Sequence, residues 1–334
     1  MTGGEFLVRK NNKEQLVSYE NSIKKSNDFS MSKLSQGLTL NQMQLLAYAI
    51  YATQQDGKTE FRKHEFQSKF ELDHYKTEEA NADSKKLYEL GFSTVDLENN
   101  KFDYLRVFQR IKYDNGAFSF KWTDDMVPQI LELKTYSLID LTITSKFKSS
   151  FSWTLYEFLK AHYGNWHKTL SKDALMKLFG VEDRKTYQKS TAQFKRGVLD
   201  VAVEEINEHT ELEVWYTEKR VGNKINSFIL HWSTGKSVPA ATEKQVTLLR
   251  EIHDEVEKNL ITYLSIENIE SARANIIAIK NIYNELEKGL SSKKADEYIQ
   301  QSLMNYKQLE QLVEMNGKKR DTSVYYNWLE EIGE

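Results

Sequence analysis

The stretch KSTAQFKRGVLDVAVEEINEHTELEVWYTEKRVGNKINSFILHW, residues 189–232, changes its period halfway along. In its first half Phe194, Val198, Val201, Ala202 and Ile206 recur at steps that line apolar side chains up on one side of an α-helix. Gln193, Arg196, Gly197, Asp200 and Glu204 fall on another side. The spacing predicts a helix over about 187–209. Residues 212–218 and 225–232 then read as two strands, joined by a turn that contains Arg220, Val221, Gly222, Asn223 and Lys224. Working backwards, 151–162 predicts an amphipathic helix through Phe151, Leu155, Phe158 and Leu159. A second covers 171–179, with Ser171 as N-cap and Gly180 as its stop. Three helices followed by a β-hairpin make a winged helix.

Such a module reads DNA by laying one helix in the major groove, with the N-terminal part of that helix towards the base edges. Along this helix Lys185, Lys189, Lys195 and Arg196 come early, whereas Glu204, Glu205 and Glu208 come late. The helix dipole and the positive charge both favour phosphate at the early end, and the carboxylates repel it from the late end. Gln193 and Arg196 are the candidates for base contacts, because Gln matches adenine and Arg matches guanine. Lys189, Ser190, Thr191 and Lys195 suit phosphates. The hairpin turn adds Lys219, Arg220, Asn223 and Lys224, a basic tip of the kind that follows the backbone or enters the minor groove.

The same order of elements occurs earlier in the chain. Thr39 is an N-cap for a helix whose buried face carries Leu40, Met43, Leu46, Ala47, Ile50 and Tyr51. A short helix carrying Phe61, Phe66 and Phe70 follows, and a third runs through 82–90 and stops at Gly91. Residues 102–113 and 117–122 read as strands joined by the tight turn Asp114-Asn115-Gly116. The expected fold class is therefore α+β: two tandem winged-helix domains followed by a small all-helical C-terminal domain. The repeated order points to an ancient duplication.

Domain limits follow from the flanking sequence. Pro128 and Pro239, the two prolines, each fall where the character of the sequence changes. Residues 1–30 read as a polar, flexible arm with no assigned structure. The first winged helix then spans 31–129, the second, the main DNA reader, 130–235, and the helical domain 236–334. In the last, Val246, Leu249, Ile252, Val256 and Leu260 form one apolar stripe, and Ile269, Ile276, Ile279, Tyr283 and Leu286 another. Gly289 and Gly317 are expected to separate helices.

Composition narrows the chemistry. The 334 residues carry a net charge of -3, and Lys+Arg exceeds Asp+Glu only in 130–235, by two. With no cysteine there are no disulfides, thiolate metal sites or thiol nucleophiles, which fits a reducing cytoplasm. No apolar run is long enough to cross a bilayer, and the N-terminus lacks the apolar core of a signal peptide, so no membrane partner is expected. Gly3-Gly4-Glu5-Phe6 spells a cyclic-dinucleotide synthase signature without flanking strands. Gly235-Lys236-Ser237 resembles the end of a phosphate-binding loop, but Leu230 stands where the loop needs glycine and Pro239 interrupts the helix that should follow. None of the seven histidines forms an H-x-H or H-E-x-x-H pair, which argues against a relaxase or zinc hydrolase site. The expectation is a non-enzymatic protein without cofactor or metal.

The segments LSKDALMKLFGV (170–181), YQKSTAQFKRGVLDVAVEEINEHTELEVWYTEKRVGNKI (187–225) and SFSWTLYEFLK (150–160) resemble the second winged helix of the Rep_3-type plasmid replication initiators. The distinctive part is FKRGVLDVAVEEIN, Phe194 to Asn207. The likeness extends over 35–235 in architecture. It implies winged helices that bind direct repeats, or iterons, at a plasmid origin, with the second making most of the specific contacts. It further implies that monomers open the origin and recruit host replication proteins, while a homodimer represses the protein's own promoter. Val201 stands where many relatives have proline, which implies a straighter helix there. For the first winged helix the resemblance implies DNA contact and dimerisation, with Arg106, Arg110 and Lys112 of its first hairpin strand as backbone contacts. The part after 236 has no counterpart in this likeness.

Other functions remain open at this level. A tandem winged-helix transcriptional regulator would recognise a promoter inverted repeat, and a nicking initiator would relax supercoiled plasmid with Mg²⁺ or Mn²⁺. A helical scaffold would dock another replication protein through the acidic 236–334 segment.

Overall fold

The computed structural model describes residues 10–27, 37–57, 59–96, 101–162, 164–222 and 224–319. The described chain forms two compact units, which divide after Ser237.

In the first unit the helix Leu40–Asp56 begins at Thr39, whose side chain and that of Gln42 satisfy each other's backbone N–H groups in a capping box. It ends at Gly57, which takes φ 64°. The helices Lys63–Lys69 and Thr77–Tyr88 follow, and the hairpin Phe108–Asp114 with Ala117–Trp122 closes the motif. Asn115 and Gly116, at φ 47° and 77°, supply the two left-handed positions of the tight turn. Phe61 lies in a short strand, Glu60–Arg62, that pairs with 117–119, rather than inside the following helix, and Phe70 sits at that helix's C-terminal cap. The rings pack all the same: Phe61, Phe66, Phe70, Phe118 and Phe120 are buried, and Tyr48 meets Phe61 edge-on at 4.6 Å.

Two expectations change here. The single strand expected over 102–113 bends at Val107, which is buried and whose N–H is taken by Leu90 O at 3.2 Å. Lys101–Arg106 therefore pairs with Gly91–Asp96 in a separate hairpin. Pro128 occupies the first turn of a short helix, Val127–Leu131, where its fixed φ is compatible with the helix and its missing N–H is not needed.

The segment read as an irregular arm is ordered over its described part, 10–27. Ser22–Ser26 pairs antiparallel with Tyr136–Asp140, and Glu14–Val17 forms another strand. Asn11 Nδ2 donates to Glu211 O and Ser233 O, and Lys13 Nζ donates to Asn207 O and Leu212 O, both at 2.7 Å. Burial holds the Lys13 ammonium below the ordinary lysine range, with Glu213 and Glu211 pulling it back. The local pattern hides this strand because Ser22, Lys25 and Ser26 are polar yet buried beside Ile23.

Helix Ser150–Ala161, capped by Ser149, leads into the second winged helix. Strand His167–Ser171 joins the hairpin Leu212–Val221 and Lys224–Thr234 in a three-stranded sheet. Ser171 caps helix Lys172–Leu178, its hydroxyl taking Ala174 N at 3.1 Å, and Gly180 follows at φ 63°. The helix expected over 187–209 is divided. Lys185–Lys189 is a helical turn of its own, Ser190 is extended at φ -125° and ψ 106°, and the chain is helical again from Thr191 to His209. Within it Lys195–Leu199 is a π-helical turn that ends two residues before Val201, which itself lies in regular α-helix.

Gly235 has a structural reason unrelated to phosphate. A β-carbon there would lie 2.2 Å from Lys13 O and 3.0 Å from Glu211 O, so the N-terminal segment passes where a side chain would stand. Gly235→Ala is expected to destabilise the unit by about 1–3 kcal/mol. Faster hydrogen exchange across 10–17 would accompany it, and an unchanged urea midpoint would argue against the close approach.

The second unit, described by itself, contains the helices Glu243–Lys258, Leu260–Leu264, Ile269–Leu286 and Ser292–Lys319. Thr242 and Gln245 form a capping box at the first. Leu249, Ile252, Val256, Ile276 and Ile279 of the two stripes are buried, with Leu309 of the last helix, while Tyr283 stacks on His253 at 3.8 Å. Gly289, at φ 80°, stands between helices, whereas Gly317 lies inside the last one instead of ending it. No described helix is long and apolar enough to cross a membrane.

Candidate nucleic-acid interface

The motif FKRGVLDVAVEEIN resolves into parts with different work. Phe194, Val198, Leu199, Ala202 and Ile206 are buried. Asn207 takes Val214 N at 2.7 Å and donates to Val214 O at 2.8 Å, which ties the end of the helix to the first wing strand. Glu205 accepts from Lys148 N and Ser149 N, at the start of helix Ser150–Ala161. Asp200 accepts from the Tyr216 hydroxyl at 2.5 Å, and burial, aided by this bond, raises the phenol's pKa. What remains exposed in the motif is Arg196 and Glu204, and Arg196 is at the end that the helix dipole favours for phosphate.

The π-turn orders this face. Asp200 N donates to Lys195 O, one residue beyond the α-helical partner, and the wider turn brings 195 and 200 towards the wing strand together. Gly197 admits Tyr187: a β-carbon would meet its Oη at 3.0 Å, which fixes the preceding turn Lys185–Lys189 against the helix.

The residues expected to touch DNA are distributed as follows. Gln193, Arg196 and Lys189 are exposed and follow one another around the break at Ser190. Ser190 is first of all a cap, its Oγ accepting from Gln193 N at 3.3 Å, and its O–H is the group that would face a phosphate. Thr191 is half-buried. Lys195 is not a free cation: its Nζ lies 2.5 Å from Glu218 Oε1 and 5.6 Å from the Tyr216 ring centre. Arg220, also expected to be free, bonds the other oxygen of Glu218 at 3.0 Å. Helical spacing showed which side of the helix Lys195 occupies, but only the strand packed there supplies its partner. Lys219 and Lys224 are exposed on the wing, beside Gly222 at φ 60°, and Asn223 lies outside the described residues.

The first winged helix keeps less of what was expected. Arg110 and Lys112 alternate on strand Phe108–Asp114 and are exposed, with Lys112 bonded to Asp114 at 2.9 Å in a solvated pair. Arg106 belongs to the other hairpin, where Nη1 donates to Tyr88 O at 3.1 Å, because the chain turns at Val107.

Two further cations lie beside the helical turn Lys185–Lys189. Arg184 is exposed immediately before the helical turn and lies 5.7 Å from the Tyr187 ring, and Lys172 Nζ holds Gln188 O at 2.9 Å at the end of that turn. The run Asp183-Arg184-Lys185 was the available signal for the first; nothing local marked the second.

Comparison with known proteins agrees with this architecture. The model of the initiator replication protein WH1 domain matches residues 22–160, and that of the initiator Rep protein WH2 domain matches 171–232. The crystal structure of the Pi initiator protein in complex with iteron DNA is similar at a TM-score of 0.53 and 21% identity, over 66% of this chain and 100% of that one. Crystal structures of RctB domains 2 and 3 match at TM-scores of 0.38 and 0.37, with 11% and 10% identity, over 58% and 57% of this chain and 82% and 80% of theirs. No curated protein sequence matches. With both domain models matched in order along one compact unit, the chain belongs to the initiator replication protein family.

Proposed function

We propose that this protein is a plasmid replication initiator that binds directly repeated DNA through its second winged helix, without catalysing a covalent step. One observation carries the reading: of the basic residues in FKRGVLDVAVEEIN, Lys195 is engaged within the protein and Arg196 is exposed, next to Gln193 at the start of the helix. The Pi initiator protein, of the same fold, was crystallised with iteron DNA, which supports repeats as the ligand. Lys189 and the wing cations Lys219 and Lys224 would follow phosphates, and Arg110 with Lys112 would do so from the first winged helix. Origin opening in the cytoplasm, recruitment of host replication proteins through 236–334, and repression of its own promoter as a homodimer complete the proposal.

The test is an anisotropy titration on DNA upstream of the protein's own gene, against scrambled competitor. Arg196→Ala should weaken binding to a tandem repeat by about 1–3 kcal/mol and relax sequence preference. Lys224→Ala should weaken all sequences alike and flatten the salt slope by about one. Preference for an inverted repeat alone would favour a transcriptional regulator, and relaxation of supercoiled plasmid with Mg²⁺ or Mn²⁺ would favour a nicking enzyme.

A further inference from the structure

A carboxylate is an unfavourable group to find beside a phosphate-binding surface, yet Glu218 lies between the recognition helix and the wing. On strand Leu212–Val221, Tyr216 and Glu218 share one face, and that face meets Asp200 and Lys195 of the helix. Arg220 reaches back to Glu218 from beyond the register shift between Lys219 and Arg220. One carboxylate thus holds two cations, one from each element expected on DNA. Glu218 is 20% exposed, Lys195 28% and Arg220 60%, so the chain of charges starts half-sheltered and ends in solvent at the wing. Hydrogen bonds from Lys195 and Arg220 hold the Glu218 carboxyl below the ordinary range, so it stays ionised.

We propose that Glu218 is a specificity-determining residue of the second winged helix: it docks the wing to the recognition helix and withholds Lys195 and Arg220 from phosphate on non-cognate DNA. The proposal rests on the DNA-reading assignment above. On a scrambled duplex, a cation that leaves Glu218 for phosphate exchanges one anion for another and strands the carboxylate in a negative field. On a repeat, the base contacts of Gln193 and Arg196 hold the duplex in one register, and the wing is already placed for it. Removing the carboxylate's charge frees both cations. Each additional phosphate neutralised steepens the salt dependence by about 0.9.

The experiment compares wild type, Glu218→Gln, Glu204→Gln and Arg196→Ala on a tandem-repeat duplex and a scrambled duplex across a salt titration. Glu204→Gln makes the same change of charge at an exposed residue late in the helix. For Glu218→Gln, affinity for scrambled DNA should rise about tenfold, the salt slope should steepen by about one to two, and the repeat-to-scrambled ratio should fall. Thermal melting should be little changed. In Lys195→Gln/Glu218→Gln, which lacks one of the freed cations, the slope should return towards wild type. The proposal is overturned if Glu218→Gln shifts scrambled binding no more than Glu204→Gln does while Arg196→Ala still loses repeat binding. If Arg196→Ala also binds repeats as wild type does, the DNA-reading assignment itself fails, and this proposal with it.

Discussion

Lys25→Ala should destabilise the first unit by about 3–5 kcal/mol, because it leaves the Glu157 carboxylate buried without its cation. Lys25 and Glu157 are 5% and 2% exposed, Nζ lies 2.6 Å from Oε2, and Trp153 Nε1 donates to Oε1 at 2.8 Å. Lys25 belongs to the N-terminal strand Ser22–Ser26, and Glu157 to helix Ser150–Ala161. Next to it, Gln54 of helix Leu40–Asp56 takes Lys24 N at 2.9 Å, so this strand is bonded to both helices. Urea unfolding followed by tryptophan fluorescence reads the effect, since five of the six tryptophans, all but Trp328, lie before the division at Ser237. Lys25→Met/Glu157→Gln should recover most of the loss: it removes both charges and keeps an acceptor for Trp153. A Lys25→Ala midpoint close to wild type would mean that Glu157 is solvated.

Phe194→Ala is the second large effect, with about 3–5 kcal/mol lost to an unfilled cavity. The Phe194 ring is fully buried, with the rings of Phe179, Tyr187 and Phe228 at 6.4, 6.1 and 6.3 Å. It therefore holds the start of the recognition helix onto the helix before it and the wing sheet behind it. Repeat binding should fall with stability. Arg196→Ala, two residues on, should leave the unfolding midpoint within about 0.5 kcal/mol of wild type, as an exposed substitution does. Equal losses of stability in both variants would contradict this separation of core from reading face.

Much of this division was legible from spacing. The apolar steps at 194, 198, 202 and 206 correctly separate a core side, and Arg196 and Gln193 emerge exposed on the other. Lys195 shows the limit of the method, because a side chain's position on a helical wheel says nothing of the strand packed beside it. Glu218, read in the sequence as one more residue of a wing strand, takes both Lys195 and Arg220 out of the set of free cations. Arg106 fails for another reason: nothing in 102–113 shows that Val107 turns into the core and divides the strand.

The sequence by itself determined the order of helices and hairpins, the caps at Thr39 and Ser171, the left-handed turn at Asn115-Gly116, and the polarity of charge along the recognition helix. These are properties of residues within a few positions of each other, which is the range over which period, capping and turn chemistry act. Only the tertiary structure decided that residues 10–27 are part of the fold, that Gly235 makes room for Lys13, and that the helix breaks at Ser190 and widens at 195–199. The bond from Asn11 to Glu211 joins residues 200 positions apart, and the polar side chains that make such contacts have no periodic signature. Their burial is favourable only because distant backbone and carboxylate groups are there to receive them.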